Sequence, residues 1–242
     1  NDGVDLIFFF FWQAAQSSAA ATEDIPIVLT AVTDPASSGL VESNEAPGKN
    51  VTGTSDMNPV TDQIALVKQL VPDAETVGIL YNSAESNSEI QAELAEAACE
   101  AEGLTAERLT ISSTNEIQTV VTSAVGKIDV LYAPTDNMIA SAMATVAMVA
   151  NENGLPTIVG EPGMVANGGL ATYGIDYEAL GYQAGEMAAQ ILTEDADPAE
   201  MPIGYQDSSQ CVFQVNVDTA EALGIDISGL DAEQVHTTSN AE

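Results

Sequence analysis

The sequence predicts an α/β fold built on parallel β-sheet. Short apolar runs rich in Val, Ile and Leu recur along the 242 residues, each bounded by Pro, Gly, Asn or Asp. Between them lie stretches whose apolar residues repeat at helical spacing. The two patterns alternate, and alternation of this kind closes through right-handed crossovers into parallel sheet covered on both faces.

In chain order, the strand candidates span residues 4–11, 25–30, 76–81, 105–111, 128–133, 156–160, 169–175 and 211–217. The helices between them are read from apolar stripes. Val60, Ile64, Val67 and Val71 form one, and Ile90, Leu94, Ala97 and Ala101 a second. Ile139, Met143, Val146 and Ala150 form a third, and Leu180, Ala184, Met187 and Ile191 a fourth. Each is a single face at helical period, with its methionines filling core. Residues 226–242 are polar and without period, so they read as a frayed tail that holds His236, the single histidine.

Composition narrows the function. Lys plus Arg is 4 and Asp plus Glu is 37, a formal charge of −33. Phosphate binding needs clustered cations, so nucleic acid is excluded as a partner, and an anionic membrane surface is disfavoured. Hydrophobic content of 45% still permits a buried core. The acidic surface serves solubility or a high-salt habitat that screens it. Cys99 and Cys211 lie far apart and support neither a disulfide framework nor a zinc site. There is no apolar run of transmembrane length. The opening Asn1-Asp2-Gly3 leads straight into an apolar strand and reads as a start inside a domain, with any targeting signal outside it.

Enzyme templates find no residues. The single histidine lies in the tail, so a Ser/His/Asp set is missing. No Gly-rich phosphate loop or dinucleotide turn is present, no compact Asp run suggests a cation site, and no cofactor is implied. The polar residues instead gather where strands end. Thr33 and Asp34 follow one strand; Glu85, Asn87 and Ser88 follow the next; Asp136 and Asn137, then Glu161, then Asp176 follow others. Ligands of open parallel sheets bind outside the carboxyl ends of strands. These groups match a small zwitterion: carboxylates for its ammonium, hydroxyls and helix N-terminal amides for its carboxylate. The same residue types are also ordinary helix N-caps, and the two roles are compatible.

These residues resemble a known family. The segments that carry the likeness are Ile25-Pro-Ile-Val-Leu-Thr-Ala-Val-Thr-Asp-Pro35, Pro47-Gly-Lys-Asn-Val-Thr-Gly53, Val77-Gly-Ile-Leu-Tyr-Asn82, Tyr132-Ala-Pro-Thr-Asp-Asn137 and Ala171-Thr-Tyr-Gly-Ile-Asp-Tyr177. Together they are similar to bacterial ABC-transporter substrate-binding proteins of the tryptophan/tyrosine-uptake type. The resemblance implies a type I periplasmic-binding-protein fold: two doubly wound parallel-sheet lobes with a ligand cleft. It places lobe one at 1–56 plus 175–202 and lobe two at 57–174 plus 203–225, with 226–242 as the tail. It further implies that lobe one is truncated, because family members carry about one more strand and helix before Val4.

The implied activity is that of a non-enzymatic, extracytoplasmic solute receptor of an ABC importer. Such a receptor captures a small amino acid, aromatic by resemblance, and hands it to a membrane permease. It is expected to be monomeric, and lipid-anchored in its full-length form. The site residues expected from this are Thr33, Asp34, Glu85, Asn87, Ser88, Asp136, Asn137, Asp176 and Glu161. Trp12 stands where the family tends to carry a Thr/Ser-Pro turn. Its indole either stacks on an aromatic ligand or fills the site and blocks binding, and the Phe run before it favours the second. The alternatives are a ligand-sensing module of a regulatory protein with the same fold and, third, a hydrolase-like enzyme.

Overall fold

The computed structural model describes residues 3–10, 12–206, 210–230 and 235–239, with the side chains of residues 12–14 outside the description. The chain forms two compact units, Asn1–Met57 with Ile175–Gln210 and Asn58–Gly174 with Cys211–Glu242.

Among the described residues, unit 1 holds a three-stranded parallel sheet in the order β1 (Ile7–Phe10), β2 (Ile27–Thr30), β3 (Val51–Gly53). The central strand, Ile27-Val-Leu-Thr30, is buried at every position, as an unbroken apolar run must be when both sheet faces are covered. Ile27 and Leu29 pack with Val51, Leu40 and Ala15 of helix α1 (Trp12–Ala19). On the other face Val28 packs on Ala184 and Ile191 of the long helix on 177–194. At Gly53 (φ 142°) a Cβ would stand 2.1 Å from the Leu29 carbonyl oxygen, so only glycine permits this approach of β3 to β2.

Unit 2 holds a seven-stranded sheet. Its strands are β4 (Thr76–Asn82), β5 (Thr105–Ile111), β6 (Val130–Ala133), β7 (Thr157–Val159), β8 (Ala171–Gly174), β9 (Val212–Asn216) and β10 (Val235–Thr238), in the order β10-β9-β8-β7-β6-β4-β5. Alternation in β4 sends Val77, Ile79 and Tyr81 to one core, with helices α2 (Val60–Leu70) and α3 (Ser86–Ala101). Leu80 goes to the other, with α4 (Ile117–Ala124), α5 (Asn137–Ser141) and α6 (Met143–Glu152). The helices α7 (Pro162–Ala166), α8 (Tyr177–Glu194, in unit 1) and α9 (Val217–Leu223) complete the chain.

Four expectations are corrected. The pairing of β8 with β9 is antiparallel, because residues 175–210 run through unit 1 instead of forming a crossover helix. Residues 203–206 belong to unit 1 and not to the second lobe: Ile203 lies in its core and Gly204 bridges to Thr54 beside β3. The segment expected to fray contains β10, which pairs in parallel with β9 from Val235↔Phe213 to Thr238↔Asn216, while Ile227 and Leu230 pack on the core. His236 therefore lies on an edge strand, exposed. Finally, α3 does not bury the Ile90–Leu94–Ala97 stripe. Ser88, Gln91, Ala92, Ala95, Ala98 and Cys99 face inward and Leu94 is 44% exposed. Gln91 sets this face, since its amide donates to the Thr135 carbonyl (2.9 Å) and accepts from the Thr135 amide (3.2 Å).

Candidate functional site

In unit 2 the sheet order places the carboxyl ends of β4, β6 and β7 side by side, so their polar turns meet. Glu85 is buried at the centre. Its Oε1 accepts from Asn82 Nδ2 (3.1 Å), and its Oε2 accepts from Asn137 Nδ2 (2.9 Å) and the Asn137 amide (3.3 Å). Asp136, fully buried, accepts from the Asn82 amide (2.7 Å) through Oδ2 and caps α5 by accepting from the Ile139 amide (2.9 Å) through Oδ1. Burial pushes its carboxyl above the ordinary range, against the pull of those two amides; the Glu85 charge adds to the rise and the Ser88 hydroxyl opposes it.

Helix α3 starts beside this cluster without a side-chain cap. Asn87, 9% exposed, donates weakly to the Thr135 carbonyl (3.4 Å), while its own side-chain oxygen is buried with no hydrogen-bond partner among the described residues. Such an orphan acceptor costs about 1–3 kcal/mol unless something outside the chain satisfies it. Asn58 Nδ2 donates to Thr135 Oγ1 (2.9 Å) from the start of unit 2. Glu161 caps α7 by accepting from the Gly163 amide (2.7 Å). Gly160 before it lies so close to the neighbouring turn that a Cβ would stand 2.2 Å from Thr135 N.

Unit 1 contributes a second set of turns. Ala31, directly after β2, adopts a left-handed conformation (φ 55°), unusual for a residue with a Cβ and a mark of strain often found near binding sites. Thr33 is buried, and its carbonyl accepts from Ser55 Oγ (2.6 Å) at the end of β3. Asp34 holds its own turn, accepting from the amides of Ala36 (3.1 Å) and Ser37 (3.2 Å), from Asn44 Nδ2 (2.9 Å) and from Ser37 Oγ (2.6 Å). Burial pushes its pKa up, but these hydrogen bonds outweigh burial and hold it below the ordinary value. Asp176 caps α8, accepting from the amides of Glu178 (2.9 Å) and Ala179 (3.1 Å). Its backbone amide also donates to Gln206 Oε1 (2.8 Å).

Asp34, Asp136, Glu161 and Asp176 thus each perform the turn or capping role their residue type allows. Glu85, Asn87, Ser88, Asp136 and Asn137 are brought together in unit 2, with Glu161 on the adjacent strand end. Thr33, Asp34 and Asp176 belong to unit 1. The expectation for the Trp12 indole lies outside the described residues, although Trp12 opens α1. The structure adds Asn82, Gln91 and Gln206 as hydrogen-bond partners of these turns. Gln91 was legible as the i+4 partner of Asn87 on one helix face; Gln206 reaches Asp176 across 30 residues and carries no local signal. Among the described residues no three His, Cys, Asp or Glu side chains converge as a metal site, and no helix is long and apolar enough to cross a membrane.

A family profile described as ABC transporter substrate binding protein matches residues 1–235. The chain belongs to this family. It is 43% identical over 235 residues to the Tyrosine-binding protein of Clostridioides difficile (strain R20291), covering 97% of this chain and 67% of that protein. Among solved structures it is similar to a ligand-free, open substrate-binding protein with adhesive properties from Clostridium difficile (41% identity, TM-score 0.80, 99% of this chain and 80% of that one). It is also similar to an ABC domain in complex with L-Trp from Streptococcus pneumonia (38% identity, TM-score 0.90, 98% and 79%). The family's type I periplasmic-binding-protein-like architecture agrees with the α/β, mostly parallel units described above.

Proposed function

We propose that this substrate-binding protein is the extracytoplasmic receptor of an ABC importer for an aromatic amino acid, tyrosine or tryptophan. The carrying observation is the 43% identity, along almost the whole chain, to a tyrosine-binding protein. The polar strand ends are consistent with a zwitterion: the uncapped start of α3 with the orphan Asn87 oxygen and Ser88 provides polar groups, and Glu85, Asn137 and Thr33 line the same kinds of turn. Asp176 pairs with the ligand ammonium through its charge. The receptor delivers its ligand to a membrane permease and performs no chemistry on it.

A thermal-shift screen of the chain against the twenty amino acids tests this. A true ligand at about 100 times its Kd stabilises by about 2.7 kcal/mol. Tyrosine and tryptophan are expected to raise the melting temperature and aliphatic amino acids to leave it. A response to another ligand class, with none to the aromatics, refutes the reading. Asp176, exposed on the helix start, keeps the cap on α8 as Asn but loses the charge, so Asp176→Asn should weaken binding by about 0.5–1 kcal/mol; unchanged affinity by calorimetry removes Asp176 from the site.

A further inference from the structure

Residues 203–206 were expected in the other lobe, and their actual place brings an aromatic side chain to the strand ends of unit 1. The Gly204 amide donates to the Gly53 carbonyl (2.9 Å), and the Ser55 amide donates back to the Gly204 carbonyl (2.8 Å). On the other side of Tyr205, the Gln206 side chain both accepts from the Asp176 amide (2.8 Å) and donates to the Asp176 carbonyl (2.5 Å). Tyr205 is thus pinned on both flanks, between the end of β3 and the first residue before α8.

Its ring nevertheless stays 44% exposed. A single exposed aromatic needs no explanation by itself. Here the surroundings are unusual. Ser55, whose amide bonds the Gly204 carbonyl, donates through Oγ to the Thr33 carbonyl (2.6 Å), so the Tyr205 backbone lies beside the turn carrying Thr33 and Asp34. Burial and then the nearby Asp34 charge push the Tyr205 phenol up, and the Ser55 hydroxyl opposes them. Tyr177, 38% exposed, follows Asp176 directly. Of the other exposed aromatics of α8 and β1, Tyr182 lies further along α8 and Phe8 within β1, whereas Phe10 ends β1 opposite Thr30. A tyrosine held by hydrogen bonds at both flanking residues presents apolar area on a backbone that loses little freedom when a ligand packs on it.

We propose that Tyr205, together with Tyr177 at the start of α8, contacts the ligand and sets the preference for an aromatic side chain. This rests on the amino-acid receptor reading above and extends it to a residue that the strand-end pattern did not include. The ring provides an offset or edge-to-face partner for the ligand ring, and an aliphatic ligand gains less from the same surface.

Calorimetric titration of the chain with L-tyrosine, L-tryptophan and L-leucine provides the test. Three variants are compared with it: Tyr205→Phe, Tyr205→Leu and Tyr205→Ala. Tyr205→Ala and Tyr205→Leu should each weaken the aromatic ligands by about tenfold or more, while Tyr205→Phe stays within about threefold. The Phe variant keeps the ring, so it also separates lost stacking from a disturbed fold. Aromatic affinity within about twofold of the parent in both Tyr205→Leu and Tyr205→Ala overturns the proposal. A parent chain that binds leucine but neither aromatic overturns the receptor reading instead, and the two failures are distinguishable.

Discussion

Replacing Gln63 with leucine should destabilise unit 2 by about 1–4 kcal/mol. Gln63 is fully buried on α2 and works with both ends of its amide. Its Nε2 donates to the carbonyls of Gly160 (2.9 Å) and Tyr173 (2.9 Å), and its Oε1 accepts from the Tyr132 hydroxyl (2.7 Å). Leucine has similar bulk but neither donor nor acceptor. The Tyr132 hydroxyl, in a residue with no exposed surface, then loses its acceptor at about 1–3 kcal/mol. Each carbonyl, having a second lone pair, loses less, about 0.5–1 kcal/mol. Burying an apolar side chain in place of an amide returns about 1 kcal/mol. Urea unfolding followed by circular dichroism measures the difference. If the orphaned hydroxyl is the main cost, adding Tyr132→Phe to Gln63→Leu should recover about 1–2 kcal/mol in a double-mutant cycle. A loss below about 1 kcal/mol, or no recovery, would refute the argument that this amide holds α2 to the ends of β7 and β8.

Three further outcomes are expected. With a charge of −33, the melting temperature should climb as NaCl rises from about 0.01 to 1 M, while the Debye length falls from about 30 to 3 Å; a flat curve would show that the acidic surface costs little. Burial and then the Glu96 charge push the Cys99 thiol up to about 11, so at pH 8 only about one part in a thousand is thiolate. A disulfide reagent should therefore label the half-buried Cys211 in the native protein and reach Cys99 only after unfolding, and rapid native labelling of both would contradict its burial. Trp12→Thr, which restores the hydroxyl the family resemblance implies, should tighten binding of aromatic amino acids; weaker binding by calorimetry would make the indole a ligand contact.

The acid limb of stability has a definite sign at Asp34. Its folded pKa lies below the ordinary carboxylate value because the Ser37 and Asn44 bonds outweigh burial. The turn's stabilisation is therefore full above the unfolded pKa of about 3.9 and is lost as pH falls through the lower folded value.

What the sequence determined by itself was everything encoded within a few residues. The runs that became β2 and β4, and the Leu180–Ala184–Met187–Ile191 stripe of α8, needed no partner to be legible, because burial on both sheet faces or on one helix face writes its period into the chain. The strand-end turns were legible too, since Asp, Asn and Thr after an apolar run mark them. Tertiary structure decided the rest. The short β3 and β10 exist because a neighbouring strand pairs with them. The buried face of α3 followed Gln91 and its bonds to Thr135 rather than the larger Leu94. Whether a carboxylate caps a helix or locks two turns together was equally open, since Asp136 and Glu85 are each reached by groups more than 50 residues away. Tyr205 came to the strand ends of unit 1 through hydrogen bonds of its neighbours Gly204 and Gln206 to residues 30 to 151 positions away, a proximity that no local pattern of side chains can encode.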